Sequence, residues 1–518
     1  MYQVFTLKLP PPVAADPDAV VAALGKKIGR HLDSDRVLIT RRSIDARKKR
    51  IYVNLTAHVF DDGETVRANR PVFVYKDVFG APPVGVVGSG PAGLFAALKL
   101  VELGLKPIVL ERGKPVDKRR RDVAALNHRG LLETESNYAF GEGGAGTFSD
   151  GKLYTRSKKR GNHRNVLHRL HQHGADERIL VDGHPHVGSN RLPDIVAAMR
   201  KTIQRYGGEI HFGSRVFDLS LHNGRVTGVK LEDGKRIDAA AIILATGHSA
   251  YDVYTMLRRR KIDLEAKPFA MGVRVEHPQR LIDRIQYHGQ PRGKYLPAAS
   301  YRLTQQVDGR GVYSFCMCPG GIIVPAATLA ETIVVNGMSF AKRNSPFANA
   351  GIVVEVQLSD IPEADAAGPL TGLEYQHRLE RMAYENGGGG MVAPAQRLTD
   401  FVHGRPSGHL PRCSYPPGVV ASPIHEWLDL PLRRRLQAAF RAIDRKMNGF
   451  VCDEALVVGV ESRTSSPVRI PRCPQSLQHV SVKGLFPCGE GAGYAGGIVS
   501  CAVDGERAAE AVARCLRN

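Results

Sequence analysis

Residues 84–113 read VGVVGSGPAGLFAALKLVELGLKPIVLERG. A short apolar run (84–87) meets Gly88, Gly90 and Gly93. A helix-patterned segment follows, and a second apolar run (107–110) ends in Glu111. This is the order of a βαβ unit that holds the ADP half of a dinucleotide. Gly88 permits the tight turn out of the strand, Gly90 lets a pyrophosphate approach the backbone, and Gly93 allows helix and strand to pack closely. The helix N-terminus offers N–H groups and the positive end of a dipole to phosphates. Glu111, 23 residues after Gly88, is spaced to accept hydrogen bonds from ribose hydroxyls.

Working outward, the length of 518 residues allows several domains, and a 43% hydrophobic fraction is ordinary for a globular chain with a sizeable core. The apolar runs are short and broken by charge, glycine or proline, and the N-terminus lacks a basic-then-apolar leader. A cytoplasmic protein without membrane spans is expected. Eight cysteines form neither a disulfide framework nor a zinc pattern. No metal site is expected. The net charge of +21 invites an anionic partner. Its basic clusters, at 118–121, 158–160, 258–261 and 433–435, are scattered, and none interleaves aromatics as single-strand binders do. Specific nucleic-acid binding is therefore not expected.

The pattern divides the chain into four parts. Residues 1–80 show a β-α-β-β order, with Arg41, Arg42, Ser43, Asp45 and Arg47 read as a polar hairpin tip. Residues 81–261 carry the βαβ unit, a glycine-dense stretch at 137–153 and a series of strands with Asn223-Gly224 and Asp233-Gly234 turns. Residues 262–450 mix short strands and helices and read as an insertion. Residues 451–518 return to a strand, a glycine turn and a final helix.

One βαβ unit binds only part of a flavin dinucleotide. The C-terminal run supplies the rest: the strand 485–488, Gly489-Glu490 with an acid placed for a ribitol hydroxyl, then Gly496 and Gly497 opening the last helix. That helix N-terminus would face the flavin's pyrimidine edge and stabilise negative charge there. Ala245-Thr246-Gly247 closes a further strand beside the first unit.

Together these residues resemble the FAD-dependent oxidoreductases with two dinucleotide-binding domains, and most closely a poorly characterised bacterial family of FAD-dependent dehydrogenases. The motifs are FGEGGAGTFSDGKLYT (140–155), ATGHSA (245–250), FAMGVRVEHP (269–278), SFCMCPGG (314–321), NGMSFAKRNSPFANA (336–350), RTSSPVRIPR (463–472) and FPCGEGAGYAGGI (486–498). The resemblance implies an α/β fold: a Rossmann-like FAD-binding domain of three layers (ββα), an inserted mixed α/β substrate domain and a small N-terminal α+β domain. It implies FAD as cofactor. Gly88, Gly90, Pro91, Ala92 and Gly93 would hold the pyrophosphate and Glu111 the adenosine ribose. Arg112 and Arg121 would contact phosphate or adenine, and Val216 would offer its backbone to adenine. Gly146, Thr147 and Ser149 would run along the isoalloxazine. Gly489, Glu490, Gly497 and Ile498 would complete the ribitol and ring contacts, although Glu490 replaces the aspartate usual in the wider superfamily.

No cysteine precedes Cys316, so the dithiol helix of disulfide reductases is absent. Asp233-Gly234 is followed by KRIDA, without the serine and arginine of the aromatic-hydroxylase fingerprint. No separate nicotinamide domain is present, so NAD(P)H would act as a diffusible co-substrate docking over the ring. Lys152, His248 and Arg463 are the candidate catalytic groups. Cys316 and Cys318 read as buried strand thiols. The expected activity is an FAD-dependent oxidoreductase moving a hydride or electrons to or from a small anionic substrate. The alternative is a flavin-dependent RNA-modifying enzyme or RNA-binding flavoprotein.

Overall fold

The computed structural model describes residues 2–61, 64, 70–155, 161–362 and 368–517; the basic run at 158–160 lies outside the described residues. The apolar runs flanking the glycine turn form the strands Pro83–Val87 and Lys106–Leu110. They sit inside a five-stranded parallel sheet in the order Leu485–Pro487, Ala241–Leu244, Pro83–Val87, Lys106–Leu110 and Glu209–His211. Both faces are covered, as a parallel sheet requires. Val84, Val86 and Ile243 pack with the helices Pro91–Leu103, Leu192–Arg205 and Ile498–Arg517. Val87, Ile242 and Leu244 point the other way, onto Leu219, Val226 and Val229 of a three-stranded antiparallel sheet. The result is the three-layer ββα arrangement. Among the described residues no helix is long and apolar enough to cross a membrane.

Two glycines of the first turn answer to packing within the protein. Gly88 has φ +99°, and a Cβ there would lie 2.5 Å from the Ala245 carbonyl oxygen. A Cβ on Gly93 would lie 1.9 Å from the Gly88 oxygen, so the helix could not sit against its strand.

The N-terminal strands Tyr2–Leu9, Val37–Asp45 and Tyr52–Phe60 make an antiparallel sheet in the order first, third, second. Arg41, Arg42, Ser43 and Asp45 are not at a hairpin tip. A bulge between Ile39 and Arg41 lets the second strand run on through them, with Ser43 paired to Asn54 and Asp45 to Tyr52. Only Arg47 of that set lies in the turn.

The insertion is built on a seven-stranded sheet. Its strand Leu456–Glu461 pairs with Phe269–Pro278 and Ala393–Arg397. That strand, placed by sequence in the C-terminal return beginning at 451, belongs to the insertion's sheet. At the sheet's centre Arg274 is fully buried and donates to Glu461 Oε2 (2.8 Å), Asn349 Oδ1 (2.9 Å) and the Cys316 carbonyl (2.8 Å).

Two residues along the same strand, Glu276 is buried and accepts from the Ser414 backbone N–H at 2.8 Å and from the Ser414 hydroxyl. Burial outweighs those bonds and pushes its carboxyl up to about 7. A raised carboxyl favours the protonated folded state. Its stabilisation is therefore full below the unfolded value of about 4.3 and is lost as pH rises through about 7. We expect the stability of wild type minus that of Glu276→Gln to fall by on the order of 2–3 kcal/mol between pH 5 and pH 8 in urea titrations. A pH-independent difference would show that Glu276 does not titrate in this window.

Candidate functional site

A deep cleft runs from the first glycine turn to the insertion's sheet. Its lining includes Gly88, Gly90, Pro91, Ala92, Glu111 and Arg112 on one side. Gly146, Ser149, Lys152, Val216, Ala245, Thr246, Gly247 and His248 follow, then Arg463, Glu490, Gly497 and Ile498. Most of the residues singled out in sequence are thus brought to one cavity, although 410 positions separate Gly88 from Ile498.

Gly90 differs from Gly88 and Gly93. Its backbone is extended (φ −69°), and a Cβ there would meet no protein atom closer than Gly144 Cα at 3.8 Å. Neither conformation nor protein packing requires a glycine. What a side chain would fill is the cleft in front of the helix N-terminus, where free backbone N–H groups favour an anion. The cradle fits a pyrophosphate.

Glu111 is buried and is a hub of the loops around this cradle. Oε2 accepts from the Ser89 N–H (2.9 Å) and hydroxyl (2.7 Å); Oε1 accepts from the N–H groups of Gly113 (2.9 Å) and Gly141 (3.0 Å). A carboxylate offers about four such places. A ribose hydroxyl reaches it only if the Ser89 hydroxyl turns aside. Arg112 lines the cavity but is already paired with Glu135 and Asp252 and lies over the Phe140 ring.

Four expected contacts fall outside the lining for physical reasons; Gly93 is one, closed in against the Gly88 oxygen. Arg121 is exposed on the helix Val116–Arg129. The inward residue of that basic run is Arg119, fully buried, which donates to the carbonyls of Asn137, Tyr138, Gly141 and Glu142. The helical phase carried the signal: Val116, Arg119, Val123 and Leu126 share one buried face. Thr147 is buried, and its hydroxyl donates to the Glu142 carbonyl at 2.9 Å. Gly489 turns the chain at φ +77° and donates its N–H to Asp504.

The far wall comes from the insertion: Phe315, Val324, Ala326, Val334, Val335 and Asn336, with Cys316 and Cys318. Lys152 Nζ stands 3.7 Å from Cys318 Sγ and 3.5 Å from Asp150 Oδ2. Asp150 is also bridged by Arg343 and accepts from the Ser339 hydroxyl. Burial works against the Asp150 charge, but Lys152 and Arg343 outweigh it and hold the carboxyl low. Burial works against the Lys152 charge as well, and the Asp150 carboxylate beside it supports the charged form. Arg463 is held by two hydrogen bonds to Glu380 and a third to Thr328 Oγ1. His248 Nδ1 lies 3.5 Å from Glu490 Oε2, and its buried Nε2 has no hydrogen-bond partner.

Cys316 sits at φ +41° in a bulge between Phe315 and Cys318, its carbonyl fixed by Arg274. Burial pushes its thiol up to about 12, and burial raises Cys318 as well despite the opposing pull of Lys152. Both are thiols near neutral pH.

Comparison with known proteins agrees with this architecture. Residues 268–464 match a family described as "FAD-dependent protein, C-terminal domain-like". Residues 184–319 match "FAD dependent oxidoreductase", and 1–60 match a domain of unknown function. An uncharacterized protein of Clostridium beijerinckii is 42% identical over 516 residues, covering 94% of this chain and 95% of its own. A geranylgeranyl bacteriochlorophyll reductase-like protein of Thermoplasma acidophilum is 14% identical, covers 85% of this chain and 80% of its own, and has a TM-score of 0.35. A salicylate hydroxylase substrate complex is 12% identical over 85% and 81%, also at 0.35.

Gly90→Val places two methyl groups in the cradle and is expected to yield folded protein without bound flavin, read by absorbance after gel filtration. A fully loaded variant would show that the cradle lies elsewhere. Cys316→Ser with Cys318→Ser is expected to leave anaerobic flavin reduction within about tenfold of wild type, roughly 1.4 kcal/mol of barrier, because neither thiol is ionised. A rate collapse without unfolding would make the pair redox carriers.

Proposed function

We propose that this chain, which belongs to a family of FAD-dependent oxidoreductases together with the Clostridium beijerinckii protein, moves a hydride between flavin and a small anionic substrate seated against the insertion. The observation that carries the reading is the charge balance of the cavity wall. Arg274 is matched by Glu461, and Arg463 by Glu380. Asp150, in contrast, is shared by Arg343 and Lys152. That group keeps one positive charge unmatched, and of its two cations Lys152 is the one that lines the cavity, beside Asp150.

FAD supplies the two-electron chemistry. The chain's own residues do the rest. The glycine turn and the helix Pro91–Leu103 would hold the pyrophosphate with backbone N–H groups. The N-terminus of Ile498–Arg517, which opens on the same cavity, would favour negative charge on a bound flavin. Phe315, Val324, Val334 and Val335 exclude water, which strengthens the pull of Lys152 on a carboxylate or phosphate. His248 is placed to take or give a proton at Nε2, with Glu490 behind Nδ1 to orient the ring. Arg463, tied to Glu380 and Thr328, positions the wall. NAD(P)H is the proposed diffusible partner, and the cytoplasm the proposed compartment.

The test is anaerobic flavin reduction followed optically with NADH, NADPH and a panel of organic acids and phosphates. The released cofactor should be one non-covalent FAD per chain. For the substrate that reduces or reoxidises the flavin, Lys152→Met should lower kcat/KM by about tenfold to a hundredfold, mostly through KM, the worth of one charge-assisted hydrogen bond. A neutral substrate, or an unchanged KM in Lys152→Met, would overturn the anionic assignment.

A further inference from the structure

The sequence shows no aromatic residues threaded through its basic runs, but the N-terminal sheet assembles such a pattern across strands. Its inner face is closed: Leu7, Leu55, Ala57 and Val59 pack on Val20 and Leu24 of the helix Pro17–Ile28. On the outer face, cross-strand pairs put Val4 beside His58, Thr6 beside Thr56, Lys8 beside Asn54, and Arg41 beside Thr56. Tyr2 is 49% exposed and stacks on His58 with centroids 4.4 Å apart and planes 9° from parallel. Lys8 Nζ lies 4.6 Å over the Tyr52 ring, and Arg50 reaches the same ring at 5.9 Å. The face is a platform of aromatic rings with cations between them.

We propose that this outer face binds single-stranded RNA in a sequence-tolerant way. Three observations support that occupant. Charge is complementary: the face and its edge carry Lys8, Arg41, Arg47 and Arg50 against the single carboxylate Asp45, which Lys8 and Arg47 bridge. The rings are placed for stacking, which every base accepts, and the cations track phosphates. Thr6, Asn54 and Thr56 add hydrogen-bonding groups between the rings, able to meet a ribose 2′-hydroxyl. The flavin cleft explains none of these features, because no residue of the first 60 lines it. The sheet-and-loop geometry also explains why the pattern escapes a linear reading: Tyr2, Lys8, Arg41, Tyr52 and His58 come from three strands.

The test uses the full flavin-loaded chain and a fluorescently labelled mixed-sequence single-stranded RNA, with a duplex RNA and a DNA of the same sequence as competitors. Binding is read by anisotropy at two KCl concentrations. We expect the single strand to bind at least about tenfold more tightly than the duplex, as a stacking surface requires. Tyr2→Ala and Tyr52→Ala should each weaken it by about tenfold. Lys8→Gln should lower the slope of log affinity against log salt by about 0.7. The control Arg434→Gln with Arg445→Gln, exposed positions on the helix Leu430–Lys446, should stay within about twofold of wild type. Unchanged amide-hydrogen exchange on the strands Tyr2–Leu9 and Tyr52–Phe60 shows that the sheet is folded in each variant. As an independent readout, photo-crosslinking should place RNA on the peptides holding Tyr2 and Tyr52. Equal affinity for duplex and single strand, or equal loss in the control, would mean diffuse electrostatics and overturn the proposal. Equal affinity for DNA would overturn the assignment to RNA. A protein dimer that forms through this face and is lost in Tyr2→Ala, with no RNA bound, would overturn it as well.

Discussion

The dinucleotide end of this molecule depends on one carboxylate and one guanidinium, neither free to reach solvent. Glu111 draws together the first glycine turn at Ser89, the loop after its own strand at Gly113, and the glycine-dense loop at Gly141. Arg119 ties down that third loop through four backbone carbonyls, and the charges of Glu111 and Glu142 offset part of the cost of burying it. An unpaired buried charge costs several kcal/mol. Each of the two thus makes the other tolerable, and the loops they bind are those that shape the cradle. The expectation that Glu111 serves the ribose has to be set beside this structural duty, which already occupies all its lone pairs.

The opposite wall follows the same rule with different parts. Arg274 lies on a central strand, where a cation has no reason to be unless it is satisfied on every side. Glu461, Asn349, Asn336 and the Cys316 carbonyl meet that need. The bond to Cys316 holds a bulge whose residue sits at φ +41°, a conformation costing about 1–3 kcal/mol for a non-glycine residue. The bulge exposes that wall to the cavity. Strain at the wall is therefore held in place by the buried charge behind it.

How much of this was legible in the sequence depended on the range of the signal. The βαβ unit, the strands from Glu209 to Leu244 and the final helix follow from local pattern, and their boundaries agree to a few residues. The alternation of Val84, Val86 and Val87 between two buried faces is implicit in a continuous apolar run. What failed was phase and pairing. The basic run suggests Arg121 as a cofactor contact, whereas the spacing from Val116 and Val123 places Arg119 inward. The bulge after Ile39, which kept Arg41 to Asp45 inside a strand, leaves no mark in composition. The partners of Arg274 come from residues 316, 336, 349 and 461, and no window of sequence contains them.

The same limit applies to charge. A formal +21 invites one explanation, yet the structure divides it into classes with different physics. Arg119, Arg169 and Arg274 are buried and spend their charge on internal acceptors. Arg112, Arg463 and Arg472 are neutralised by carboxylates. Neither class attracts a distant anion, because a matched pair projects little field beyond a Debye length of about 8–10 Å. Among the cations that remain are Lys152, the surplus charge of the Asp150 group in a low-dielectric cleft, and the solvated cations of the N-terminal sheet. The first can select a small ligand through a single strong contact. The second can hold only a polymer that repeats its own charge, since each exposed contact is weak and affinity must come from many of them.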